Sequence, residues 1–260
     1  KPGRRAVYLA LKDLVKKESI DLTIGNAENA AGGAGLTGKI AHQLFTYGID
    51  VLTSGNHIWK QKDIGKAMEG NDRILRPLNF PEGAPGRGST VVDVKGASVA
   101  IVNLMGRVYM EAIDCPFRAI DRELPKLKGR ARVVVVDWHA NATSEKIAMG
   151  WHLDGRVSGV FGTHTHVQTG DERVLPNGTA YISDVGMTGP HDGVLGRIKE
   201  AVLHRFITQM PAKFDVATGD VRICGAIMDI DETTGRARGI SRVNIGPIVI
   251  GPIDPKEKDD

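Results

Sequence analysis

The chain has 260 residues, of which 41% are hydrophobic and 25% charged, and it carries a net charge of +3. That length supports one large core or two modest ones, and the composition excludes a disordered chain. Lysine and arginine are scattered among the acids without forming a basic block, so no nucleic-acid-binding surface is expected.

In chain order, PGRRAVYLALKDLVKKE reads as an amphipathic helix entered through Pro2 and Gly3. SIDLTIGN (19–26) is the first strand-like run. LTGKIAHQLFTYG follows as a helix with Thr37 as N-cap, Ile40 and Leu44 on one face and Gly48 just past its end. GIDVLTSG (48–55) is a second strand, and KQKDIGKAMEG a short helix that stops at Gly70. RPLNFPEGAPGRG (76–88), rich in proline and glycine, reads as a long ordered loop. ASVAIVNL (97–104), ARVVVVDW (131–138), RVSGVFG (156–162) and TAYISDVG (179–186) are further strands. Their near-continuous Val and Ile content predicts a sheet covered on both faces, hence an α/β domain with parallel strands. Between the first two of these, residues 105–130 turn irregular and then helical (FRAIDRELPKLKG), an excursion that could cap a site. From Lys213 to Ile245 the turn signals ATGD and DETTGRA separate alternating runs and predict antiparallel strands. GPIVIGPIDPKEKDD is expected to fray into a charged tail. Residues 1–260 are read as a single domain.

Cys115 and Cys224 stand far apart in no paired motif, which points to idle thiols in a reducing compartment. No apolar run reaches the roughly 18–20 residues of a membrane span. No leader is evident, so a cytoplasmic protein without membrane partners is expected.

The informative residues are those that follow the strands. SIDLTIGN leads into Glu28 and Asn29, GIDVLTSG into Asn56 and His57, ARVVVVDW into His139 and Asn141, and RVSGVFGT into His164 and His166. In a parallel α/β sheet the carboxyl ends of the strands share one edge, where ligands bind. A single histidine at a strand end is commonly structural, and Asn29 and Asn56 alone would read as turn residues. Four strand ends that each deliver Glu, Asn or His make a metal site the better reading. His42 and His204 lie inside helical patterns and read as helix-face residues, and nothing in the sequence singles out His152 or His191. Imidazole, carboxylate and amide donors without thiolates suit zinc, manganese or iron. On an extended segment His164 and His166 would project to one side, roughly 6–7 Å apart at their bases, a span that lets them grip two neighbouring metals. Glu28 is the natural bridging carboxylate.

GNH at 55–57, the histidine at 139 after a Val-rich strand, and GTHTH at 162–166 resemble the ordered blocks of calcineurin-like metallophosphoesterases. The chain is more closely similar to the bacterial YmdB-like subfamily of 2′,3′-cyclic-nucleotide 2′-phosphodiesterases. The matching stretches are NAENAAGGAGLT (26–37), TSGNHIW (53–59), LRPLNFPEGAPGRG (75–88), the long run from Trp138 to Pro190, and IMDID (227–231). The resemblance implies a four-layer α/β/β/α sandwich and two divalent metal ions, iron or manganese before zinc. It implies that Glu28 bridges them, that Asn56, His139 and His164 complete one shell, and that Asn29 and His166 serve the other. His57 would donate a proton to the leaving oxygen or stabilise the developing charge. The family opens with a strand that ends in a GDVVG-like segment whose aspartate is a metal ligand, and this chain starts just after that point. The N-terminal strand is therefore expected to be missing from the sandwich. The implied reaction is attack of a metal-bridged hydroxide on the phosphorus of a small cyclic phosphodiester, by a homo-oligomer that forms no stable nucleic-acid complex.

Overall fold

The computed structural model describes residues 1–252. Its helices are α1 (Pro2–Lys17), α2 (Gly38–Thr46), α3 (Ile64–Glu69), α4 (Pro116–Lys128), α5 (Thr143–Leu153) and α6 (Lys199–Thr208). The strands are β1 (Ile24–Asn26), β2 (Val51–Thr53), β3 (Ser89–Val94), β4 (Ala97–Met105), β5 (Val133–His139), β6 (Gly159–Thr163), β7 (Arg173–Val174), β8 (Ala180–Ile182), β9 (Gly189–Pro190), β10 (Val221–Ile230) and β11 (Ala237–Ile245). The central sheet has the order β3-β4-β5-β6-β8-β7, in which β4, β5, β6 and β8 are mutually parallel and the two edge strands antiparallel. Opposite it lie the parallel pair β1-β2 and the antiparallel β9-β10-β11 group.

The layering follows from the period of two along each strand. Ala100, Val102 and Leu104 of β4, with Val134, Val136 and Trp138 of β5, face Ala119, Ile120, Leu124 and Leu127 of α4 and Met149 and Leu153 of α5. The alternate residues, Val99 and Ile101 of β4 and Val133 and Val135 of β5, face inward onto Val51 of β2 and Leu75, with Ile24 and Ile230 packed around them. Beyond β1 and β2, Leu52 meets Ile40, Ala41 and Leu44 of α2 and Ile64 and Met68 of α3. On the same outer side, Ala6 and Leu14 of α1 cover Val221, Ile223 and Val243 of the C-terminal strands. The order helix, sheet, sheet, helix is the four-layer sandwich expected above.

Local signals act where the sequence places them. The Thr37 hydroxyl accepts from Ile40 N at 3.2 Å, and Gly48 follows the end of α2 at φ 107, a conformation that favours glycine. β10 and β11 pair antiparallel across the Asp231–Arg236 turn. The loop Arg76–Gly88 is ordered by its own arginine: the Arg76 guanidinium donates to the carbonyls of Pro77, Leu78, Ala84 and Pro85. Within residues 105–130, Met105 ends β4, residues 106–115 run without helix or strand, and α4 then packs into the outer core. Edge strand β3, helix α5 and the two-residue strands β7 and β9 escaped the sequence reading. The expected fraying tail lies, from residue 253 onward, outside the described residues. Among the described residues no helix is long and apolar enough to cross a membrane.

Candidate metal centre

The carboxyl ends of β1, β2, β5 and β6 converge, so the site straddles both sheets. Polar side chains stitch them together there. The Asn103 amide of β4 accepts from Ser54 N at 2.9 Å and donates to Ser54 O at 3.0 Å. Asn26, at the end of β1, donates to Asp137 of β5 at 2.9 Å.

His139, the last residue of β5, is fully buried. Its Nδ1 lies 2.9 Å from the Thr163 hydroxyl, which spends its single hydrogen on Asp137 at 2.7 Å. Thr163 therefore accepts, and Nδ1 carries the imidazole proton. Asp137 is held in turn by the Thr53 hydroxyl and by Asn26. Burial raises its carboxyl to about 6, against those bonds, so it is an anion at neutral pH. In metal sites an arrangement of this kind fixes the tautomer of the ligating histidine. It leaves the Nε2 lone pair of His139 facing Asn56 Oδ1 at 2.9 Å, Glu28 Oε2 at 3.2 Å and His164 Nδ1 at 3.1 Å. Two oxygens and a second imidazole nitrogen thus crowd onto one ring nitrogen whose own hydrogen is on the other side of its ring. A cation satisfies all of them at once, and the donor atoms of Glu28, His139 and His164 lie within 4.8 Å of one another. The residues fit a divalent metal.

Burial pushes the Glu28 carboxyl up to about 7, although the His57 backbone N–H and the Asn29 amide bond its charged form. A carboxylate so placed needs a positive neighbour. Burial also lowers His139, His164, His166 and His57, so all four imidazoles are neutral and available as ligands or bases at neutral pH.

Asn29 and His166 form a second group beside Glu28. The Asn29 amide nitrogen lies 3.0 Å from Glu28 Oε1 and 3.2 Å from His166 Nε2, while its oxygen lies 2.7 Å from His57 Nδ1. Metal ligation through Asn29 Oδ1 thus requires this amide to turn. The seven residues expected to serve as ligands or proton carrier, Glu28, Asn29, Asn56, His57, His139, His164 and His166, meet in one constellation, and the Asn141 amide nitrogen joins it 3.3 Å from His164 Nε2. His42 and His204, read as helix-face residues, lie in α2 and α6.

One local expectation needs correction. His164 and His166 are not on an extended segment: β6 ends at Thr163, and the two histidines have φ 102 and 66. Side chains on such a left-handed backbone do not alternate as on a strand, and the two imidazoles part, one to His139 and the other to Asn29.

What holds that backbone is a buried ion pair the sequence does not advertise. Lys146 of α5 spends its three ammonium hydrogens on Thr163 O at 2.6 Å, Ser183 O at 2.9 Å and Asp184 Oδ2 at 3.0 Å. Asp184 also accepts from Thr165 N at 3.0 Å and Gly186 N at 2.9 Å. His164 is thereby fastened on both sides. Lys146→Met leaves Asp184 buried and unpaired, and should lower the unfolding free energy by about 3–5 kcal/mol. Urea unfolding measures this, and a midpoint equal to the parent's would refute it. Asp137 is the other residue the sequence reading passed over, and its signal was visible: a lone carboxylate inside VVVVDW.

The geometry can be set beside known proteins. A family model described as YmdB-like protein matches residues 1–243. The 2′,3′-cyclic-nucleotide 2′-phosphodiesterase of Bacillus subtilis (strain 168) is 47% identical over 244 residues, covering 94% of this chain and 92% of that one. A crystal structure of a hypothetical protein from Thermus thermophilus superposes with a TM-score of 0.87 at 42% identity, covering 94% of each chain. One of a novel phosphatase from Mycoplasma pneumoniae gives 0.88 at 34% identity, covering 94% of this chain and 89% of that one.

Proposed function

The chain belongs to the YmdB-like protein family, and from that premise we propose that its donor cluster hydrolyses the phosphodiester of 2′,3′-cyclic nucleotides with two divalent cations. It is a phosphoric ester hydrolase of a metal-dependent fold. One observation carries the reading: Asn56 Oδ1, Glu28 Oε2 and His164 Nδ1 all converge on His139 Nε2, at 2.9, 3.2 and 3.1 Å. Those three with His164 would hold one cation, and Glu28, Asn29 and His166 the other. Oxygen and imidazole donors suit iron or manganese and also admit zinc. Cations held there supply charge stabilisation for the phosphoryl oxygens and a water acidic enough to attack phosphorus near neutral pH.

The chain's own residues do the rest. Asp137 and Thr163 keep the His139 proton on Nδ1, and so keep Nε2 free to ligate. With the amide as it stands, His57 donates Nδ1–H to Asn29 Oδ1 and the Asn29 amide donates on to Glu28; with the amide turned to ligate, its nitrogen would donate to His57 Nδ1 instead. Nε2 of His57 is then the atom at which a proton is taken or given. An anionic phosphodiester beside this neutral imidazole favours its protonated form, which can pass that proton to the departing ribose oxygen.

Metal removal tests the reading. Protein dialysed against a chelator should lose hydrolysis of 2′,3′-cyclic AMP, and manganese or ferrous iron should restore it. Elemental analysis should find about two cations per chain, and the cyclic diester should be cut faster than p-nitrophenyl phosphate. Chelator-resistant turnover, or preference for the monoester, would overturn the proposal.

A further inference from the structure

Exposed apolar side chains lie on the segments that carry the donor cluster. Trp59 stands two residues after His57, Val167 directly after His166, and Leu195 has its backbone beside His166; all three are exposed. The fourth and most exposed is Tyr109, at 87%. It lies on the segment that leaves the end of β4, where Met105 is in register with His139 and Gly106 N donates to His139 O at 2.9 Å. Two residues beyond Tyr109, the Glu111 carboxylate is close enough to His57 to act on it electrostatically. Three residues of chain span at most about 11 Å, so Tyr109 is tethered between the two halves of the site.

The segment is pinned. Glu145 of α5 accepts from Arg107 N at 3.0 Å and Val108 N at 3.3 Å. The Asn79 amide ties its two ends, donating to Met105 O at 2.8 Å and Asp114 O at 2.9 Å. Tyr109 itself has φ 59, a left-handed conformation that a bulky side chain rarely adopts and that the surrounding bonds enforce. Its ring stacks on no other ring among the described residues, whereas Trp59 packs edge-on against Phe80 at 5.6 Å. An aromatic ring held in solvent by a strained, anchored backbone at the edge of a charged site suits a ligand with a flat, apolar face next to an anionic group.

We infer that Tyr109 is the platform on which the base of the nucleotide substrate stacks, and so a determinant of specificity rather than of the chemical step. The inference rests on the nucleotide reading above. A base stacked on an aromatic ring contributes to binding in both ground and transition states, which lowers KM and leaves kcat unchanged.

The test uses the metal-loaded protein and two substrates, 2′,3′-cyclic AMP and methyl riboside 2,3-cyclic phosphate, which has the same diester and no base. Tyr109→Ala should raise KM for the nucleotide about tenfold with kcat within about twofold, and leave the methyl riboside unaffected. Tyr109→Phe should behave as the parent. An unchanged KM for cyclic AMP, or an equal loss on both substrates, would overturn the platform alone. A parent protein that cuts neither substrate would overturn the phosphodiesterase reading and the platform with it.

Discussion

Replacing His57 with alanine should lower turnover of a 2′,3′-cyclic nucleotide by about 10²- to 10⁴-fold, the range for loss of a positioned acid or base. The reason lies in how the residue is held. Its Nδ1 is committed to Asn29 and its backbone N–H to Glu28, so the imidazole is fixed relative to the site while Nε2 stays free. The Glu28 carboxylate is 3.6 Å from Nδ1, close enough to stabilise an imidazolium once one forms. None of the lone pairs around His139 comes from His57. The variant should therefore keep its full metal content while kcat collapses, as elemental analysis and steady-state kinetics on one preparation would reveal. Loss of metal in parallel with activity would make His57 a ligand, and retained turnover would end its assignment as the proton carrier.

The second large effect is expected at Gly55, a residue with no chemistry. Its Cα faces the buried edge of the His139 imidazole, and a methyl group there would fall inside the van der Waals envelope of Nε2, Cδ2 and Cε1. The ring cannot retreat freely, since Thr163 holds one side and His164 stacks edge-on at 4.8 Å on another. Gly55→Ala must push the imidazole off its position, and a displacement of about 1 Å costs on the order of 10²-fold in activity. Here the metal should be lost together with turnover, the opposite of the His57 pattern. Gly129→Ala, where an added methyl meets nothing within 4 Å, is the matched control and should be neutral. A Gly55→Ala protein with normal metal content and kcat/KM would show that His139 does not ligate.

How far these features could be read in advance depends on how local their causes are. β4 and β5 are legible because they are largely buried on both faces, which leaves the long apolar runs VAIV and VVVV. β3 is an edge strand of half-exposed residues, STVVDV, directly after a Pro/Gly-rich loop, and its pattern is too mixed to stand out. α5 was passed over because its inward face is Lys146, Met149, Gly150 and Leu153, a charge and a glycine where the eye expects leucine. The candidate ligands were legible because each lies at, or within three residues of, the carboxyl end of a strand. Their supports were not. Lys146 and Asp184 are 38 residues apart, and only the fold brings them together under the histidine loop. The left-handed backbone at His164 and His166 belongs to the same class, imposed from outside by bonds to Thr163 and Thr165.

The origin of the donors has a thermodynamic consequence. Glu28, Asn29 and Asn56 are rooted in the small parallel pair, whereas His139, His164 and His166 belong to the central sheet. A cation chelated by both sets is a cross-link between the two sheets, and the free energy of chelation is shared with their docking. By mass action, a ligand at a hundred times its dissociation constant deepens the folded state by about 2.7 kcal/mol. Here that gain falls on the seam between the sheets, so the ion that would serve the reaction would also act as the rivet of the sandwich.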